Sequence, residues 1–122
     1  MAASSSTILA SASLVLLLLA SGSKAQDAPE VAKRLKAEYE NCVYDAVGAQ
    51  WKGNPRLDSN AGTETAFLAC QTEQQAIETL LYSIHTPPVQ VVAAILGIKV
   101  ALKRTVRAIM ADPKKYLLEH GG

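Results

Sequence analysis

The chain has 122 residues, 49% of them hydrophobic, and its 12 basic and 11 acidic side chains give a formal net charge of +1. This length predicts one domain, and near neutrality argues against a general nucleic-acid-binding protein, which is usually strongly basic. The chain contains two histidines and two cysteines, so few imidazole or thiolate groups are available as metal ligands or as histidine bases.

The first 25 residues have the pattern of a secretory signal peptide. Residues 8–20 are apolar apart from two serines, a run too short for a transmembrane helix of roughly 20 apolar residues. Ser23 and Ala25 form the small-x-small pattern after which signal peptidases cut. No Lys or Arg precedes the run, which departs from the usual positively charged start of a signal peptide. The alternative is an organellar transit peptide, but such peptides are normally Arg-rich and amphipathic, and this segment is neither. We expect a signal peptide over 1–25 and a single small helical domain over 26–122, periplasmic or else extracellular.

Charge is unevenly divided along the predicted mature chain. Residues 26–88 carry five basic and nine acidic side chains, whereas residues 89–122 carry six basic and two acidic ones. Two interpretations remain open. Either the two parts complement each other when they pack, or the basic part serves an anionic ligand.

The first predicted helix starts near Asp27 and ends at Gly53. Asp27 is a favourable N-cap, Pro29 fits the first turn, and Glu30 lies where a capping box needs it. Gly53 can cap the helix and Pro55 cannot continue it. Apolar residues spaced by three and four form one face: Val31, Leu35, Tyr39, Cys42, Ala46 and Ala49.

The second predicted helix begins between Ser59 and Thr63 and runs without a break to Pro87 and Pro88. Its apolar face comprises Phe67, Cys70, Ile77, Leu81 and Ile84. Because only a short, turn-rich loop separates the two helices, we expect them to form an antiparallel hairpin.

The cysteine positions define a register for this hairpin. Placing Cys42 opposite Cys70 also places Leu35 opposite Ile77, on the two apolar faces. The same register centres the turn within residues 53–62, the loop already predicted from its Gly, Asn and Pro residues.

We therefore predict a structural disulfide between Cys42 and Cys70. Two cysteines in an exported chain favour oxidation, and closing this loop stabilises the fold by roughly 3.5 kcal/mol in the loop-entropy model. A catalytic redox pair usually has the Cys-x-x-Cys spacing, and His85 and His120 do not have the spacing of zinc ligands. We expect no metal and no cofactor.

A third helix is predicted from about Pro87 to Ala111, where Asp112-Pro113 ends it, and one more short helical turn is expected within 114–120. Its core-facing stripe, placed by the 3.6-residue period, comprises Val91, Ile95, Ile98, Leu102, Val106 and Ile109. The predicted fold is therefore all-α: a disulfide-linked antiparallel hairpin, a third helix packed on it, and a short C-terminal turn.

The other side of the third helix carries the candidate interaction surface: Leu96, Lys99, Val100, Lys103, Arg104 and Arg107. Residues 89–98 are also apolar all round except for Gln90. Such a helix must be buried on every side or must bind something. Three interpretations remain open: burial within the monomer, an interface with a partner protein or a second copy, and contact with an anionic membrane surface.

No catalytic constellation is apparent. A triad needs a nucleophile, a base and an orienting group, and the histidines, His85 and His120, lie beside a proline pair and near the chain end. Gly-rich phosphate loops, His-Glu-x-x-His and EF-hand patterns are missing from the sequence. We expect a non-catalytic binding or interaction protein of an exported compartment. The alternative is a peripheral protein that binds anionic lipid through its third helix.

Overall fold

A computed structural model of the chain describes residues 23–115, and this part of the protein is all-α, as predicted. The residues before 23 and after 115, which include most of the predicted signal peptide and of the C-terminal turn, lie outside the described part. A helical turn at 113–115 follows four helices: α1 (Ser23–Gly53), α2 (Ser59–Ala69), α3 (Gln71–Ser83) and α4 (Pro88–Ala111).

The start of α1 differs from the prediction. The helix begins at Ser23 rather than near Asp27, so Pro29 lies inside it instead of in its first turn. Proline has no N–H to donate to the carbonyl four residues earlier, yet the helix continues through it. Ala28, immediately before the proline, is buried, so α1 packs on the rest of the fold at this point.

The predicted second helix is in fact two helices, α2 and α3, which meet at Cys70. Cys70 has φ −107° and ψ 26°, outside the α-helical region. Its N–H donates to the carbonyls of both Ala66 and Phe67, and its own carbonyl accepts from the N–H of Gln74. Cys70 is therefore both the C-cap of α2 and the N-cap of α3. The prediction of one unbroken helix was wrong.

The predicted disulfide and hairpin register are both present. Cys42 and Cys70 are bonded, with their Cα atoms 6.0 Å apart. The Nε2 of Gln50 donates to the carbonyl of Gly62 at 2.9 Å, and these two residues are opposed in the register that the cysteines define. The hairpin is thus held covalently at its middle and by hydrogen bonding near its turn.

The core lies between the hairpin and α4. Four residues of the predicted α4 stripe are buried, namely Val91, Ile95, Leu102 and Val106, whereas Ile98 and Ile109 are half-buried. The Tyr39 ring of α1 stacks on the Phe67 ring of α2 with centroids 6.4 Å apart. Other members of the core cluster are Val43, Val47, Ala66, Cys70 and Ile77.

A Schellman motif at His85 ends α3. The N–H of His85 donates to the carbonyl of Tyr82, and the N–H of Thr86 donates to that of Leu81, both at 3.0 Å. His85 takes the left-handed position of the motif, with φ 64°, where glycine is the usual residue. The histidine is exposed, and its place is that of a helix terminator.

Candidate functional site

An uninterrupted apolar row lies on the outer face of α4. Val89 is 75% exposed, Val92 64%, Leu96 59% and Val100 46%. Their spacing of three, four and four places them on one side of the helix. We call these four residues the apolar row. Burial within the monomer is therefore the wrong interpretation for these positions.

The row is exposed because α4 already buries its other side. Val91 is 2% exposed while its neighbour Val92 is 64% exposed, so two identical side chains have opposite environments. A helix packed on one side of a small hairpin can bury only a stripe. The apolar row is what remains once that stripe is covered.

Two of the predicted cations contact side chains of α2. The Nζ of Lys99 lies 5.2 Å from the centroid of the Phe67 ring, a cation–π distance. The ammonium of Lys103 forms an ion pair with the carboxylate of Glu64. Both lysines are half-buried, so they attach α4 to α2 as well as contributing positive charge.

The two arginines of the candidate surface differ from these lysines. Arg104 and Arg107 are exposed, and among the residues that the structure describes neither has a carboxylate partner. The solvent-facing part of the predicted surface is thus Leu96 and Val100, followed along the helix by these two guanidinium groups. In order along α4, an apolar half precedes a basic half.

One exposed apolar residue was missed by the sequence analysis. Leu68 of α2 is 70% exposed. It follows Glu64 by one helical turn and therefore lies on the side of α2 that carries the ion pair to Lys103. Its neighbour Phe67 is buried. Helical spacing alone does not predict which of two adjacent apolar residues will be buried.

A possible group of metal ligands and a buried phenol lie within residues 23–115. There, the side chains close enough to hold a metal ion are those of Cys42, Cys70 and Glu73, and both sulfurs are consumed in the disulfide. Burial, followed by the negative charges of Glu64 and Glu78, raises the pKa of Tyr39 to about 12. This phenol is fully buried and stays protonated at neutral pH, which makes it unsuitable as a general base.

Comparisons with known proteins provide no relative from which a function could be transferred. A scan against protein-family models, a search of curated proteins and a search of solved structures each returned no match. Within residues 23–115, none of the helices has the length and hydropathy that crossing a bilayer requires.

Proposed function

We propose that this protein is an exported, non-catalytic binding protein that holds a partner protein on the outer face of α4. The observation that carries this proposal is the apolar row. Single exposed apolar side chains are ordinary, but a contiguous row on one helix face is typical of a protein interaction site. The disulfide supports export, because such bonds persist mainly in oxidising compartments.

Covering the apolar row would release a substantial free energy. Complete burial of a Val or Leu side chain contributes about 1.5–3 kcal/mol. Because the four side chains are roughly half to three-quarters exposed, covering them would contribute about 1–2 kcal/mol each. That sum suits the centre of an interface, and polar contacts around it must help to offset the entropy lost on association.

The charges indicate what such a partner presents. Helix α4 contains four basic residues and no acidic residue, and the exposed guanidinium groups of Arg104 and Arg107 follow the row. The complementary surface is an amphipathic segment with apolar side chains at helical spacing and carboxylates at one end.

An anionic membrane surface is the second candidate, and the absence of acidic residues from α4 favours it. Two observations favour a protein instead. Interfacial helices usually insert Trp or Phe, and α4 has no aromatic residue. Moreover, the contacts of Lys99 with Phe67 and of Lys103 with Glu64 would compete with lipid headgroups for these two ammonium groups.

Site-specific photocrosslinking in the native host tests the proposal. A photoreactive side chain at Val100 should give an adduct of defined mass, and one at exposed Lys33 of α1 should not. The additional change Leu96→Gln should abolish the adduct, whereas the matched change Tyr82→Gln, at a side chain 50% exposed on α3, should not. Equal labelling from both positions, or none at Val100, would contradict the proposal.

Vesicle flotation distinguishes the second candidate. The oxidised protein is mixed with phosphatidylcholine vesicles or with vesicles containing phosphatidylglycerol, at low and at high salt. We expect no flotation. Flotation with the anionic vesicles alone, lost at high salt and in the double variant Arg104→Gln/Arg107→Gln but retained in Lys33→Gln, would overturn the protein-partner proposal in favour of a membrane surface.

A further inference from the structure

A cleft of about 320 Å³ lies where the last turns of α1 and α4 meet. Its walls are almost entirely apolar and include the side chains of Trp51, Ile109 and Met110. Gly48 forms part of the wall, and a Cβ atom built there would meet no other atom within 4 Å. The volume is at the lower end of the range of about 300–1,000 Å³ found for small-molecule sites.

A second, polar cleft of about 460 Å³ adjoins the first and shares Trp51 and Met110 with it. Arg56, from the loop after α1, and Arg107, from α4, both line it. The carboxylate of Asp58 lies there too, but one of its oxygens accepts the N–H of Ala61 as the N-cap of α2. The cleft is therefore lined by two positively charged side chains and by one carboxylate that is already hydrogen-bonded, so its net charge is positive.

An apolar cleft next to a cationic one is complementary to a particular class of small molecule. The ligand needs an apolar body of modest size and one anionic group at its end. Guanidinium groups bind carboxylates through charge-assisted, often bidentate, hydrogen bonds. The shared walls of Trp51 and Met110 would let one molecule occupy both clefts.

We propose that this pair of clefts binds an amphipathic carboxylate, such as a medium-chain fatty acid. The apolar chain lies between Gly48 and Met110, and the carboxylate is held by Arg56 and Arg107. This site does not depend on the apolar row of α4. Arg107 belongs to both surfaces, so the tests below use Gly48 and Arg56, which belong to the cleft alone.

Trp51 provides a direct readout, because it is the only tryptophan in the chain and lines both clefts. The full-length oxidised protein is titrated with decanoate, decanol or decyltrimethylammonium below their aggregation concentrations. We expect a saturable change of Trp51 fluorescence with decanoate. Affinity for the charge-reversed decyltrimethylammonium should be weaker by about tenfold or more, since its head group is repelled by the two guanidinium groups.

Two pairs of variants locate the ligand. Gly48→Leu fills the apolar cleft and should weaken decanoate binding about tenfold or more, because it removes the space for the alkyl chain. Gly97→Leu is the matched control, since Gly97 is a helical glycine with equally open space around its Cβ position and similar gain in helix propensity. Arg56→Gln should weaken decanoate about tenfold and leave decanol binding within about twofold, whereas Lys33→Gln should change neither.

Several outcomes would overturn the proposal. These are a fluorescence change that does not saturate, equal affinity for the two oppositely charged probes, and unchanged decanoate binding in Gly48→Leu with its disulfide intact.

Discussion

The hydroxyl of Tyr39 is fully buried and has no hydrogen-bond partner among residues 23–115. The change Tyr39→Phe removes this hydroxyl and keeps the ring that stacks on Phe67. Burying a hydroxyl without a hydrogen bond costs roughly 1–3 kcal/mol in proteins. We therefore expect Tyr39→Phe to raise the free energy of unfolding by about 1–2 kcal/mol at pH 8.

The same residue predicts a pH dependence. The pKa of Tyr39 is raised from 10.0 to about 12 by burial and by the charges of Glu64 and Glu78, so the folded protein holds the phenolic proton more tightly than the unfolded chain does. The stability that the folded state gains from this tighter binding of the proton is fully present below pH 10, and it is lost as the pH rises through about 12. A shift of this size corresponds to about 2–3 kcal/mol, which the wild type would lose and Tyr39→Phe would not.

Urea unfolding followed by far-ultraviolet circular dichroism at pH 8 and pH 11 measures both effects. Both cysteines are in the disulfide, so no thiolate is present to start disulfide exchange at high pH. The stability difference between Tyr39→Phe and wild type should widen at pH 11, and it should not widen for Tyr82→Phe, whose ring is exposed. If Tyr39→Phe were less stable than the wild type at pH 8, the inference that the buried hydroxyl is destabilising would be refuted. If the difference in free energy of unfolding were the same at pH 8 and pH 11, the raised pKa of Tyr39 would be refuted.

Two further substitutions test the local backbone. His85→Gly should raise the free energy of unfolding by about 1 kcal/mol, because His85 has φ 64° and glycine adopts this conformation without steric cost; lower stability in urea would contradict it. Gly62→Ala should destabilise by about 1 kcal/mol or less, because its Cβ would lie 2.7 Å from Cδ2 of Leu57 and the cost of moving that side chain exceeds the helix propensity that alanine gains. Combining Gly62→Ala with Leu57→Ala should then be less destabilising than the sum of the single changes, and strict additivity would show that the overlap is relieved elsewhere.

The elements that the sequence predicted correctly are those with strong, local signals. The bounds of α4 follow from Pro88 at its start and Asp112-Pro113 after its end. The disulfide and the hairpin register followed from two cysteines placed symmetrically about a turn. Periodicity gave the buried side of α4 because four of its six stripe residues had to be covered by the hairpin.

What could not be predicted depends on tertiary contacts. No glycine or proline marks the break at Cys70, since Ala69, Cys70 and Gln71 are all compatible with a continuous helix. The outward-facing cations were predicted as one basic arc, but Lys99 and Lys103 are engaged by α2. Partners from another helix cannot be read from the spacing of residues within α4. The clefts beside Trp51 likewise depend on how the ends of α1 and α4 lie relative to each other, which no local pattern records.

The disulfide joins α1 to the junction of α2 and α3 but leaves α4 outside the covalent loop. Non-covalent contacts, including the Lys103–Glu64 ion pair, and the Pro87-Pro88 connection therefore keep α4 in place. We therefore expect α4 to detach in a sub-global opening whose free energy is below that of complete unfolding. In native-state hydrogen exchange, amides of α4 such as those of Leu102 and Val106 would then exchange before those of Tyr39 and Val43. The oxidised hairpin would persist as a separate cooperative unit.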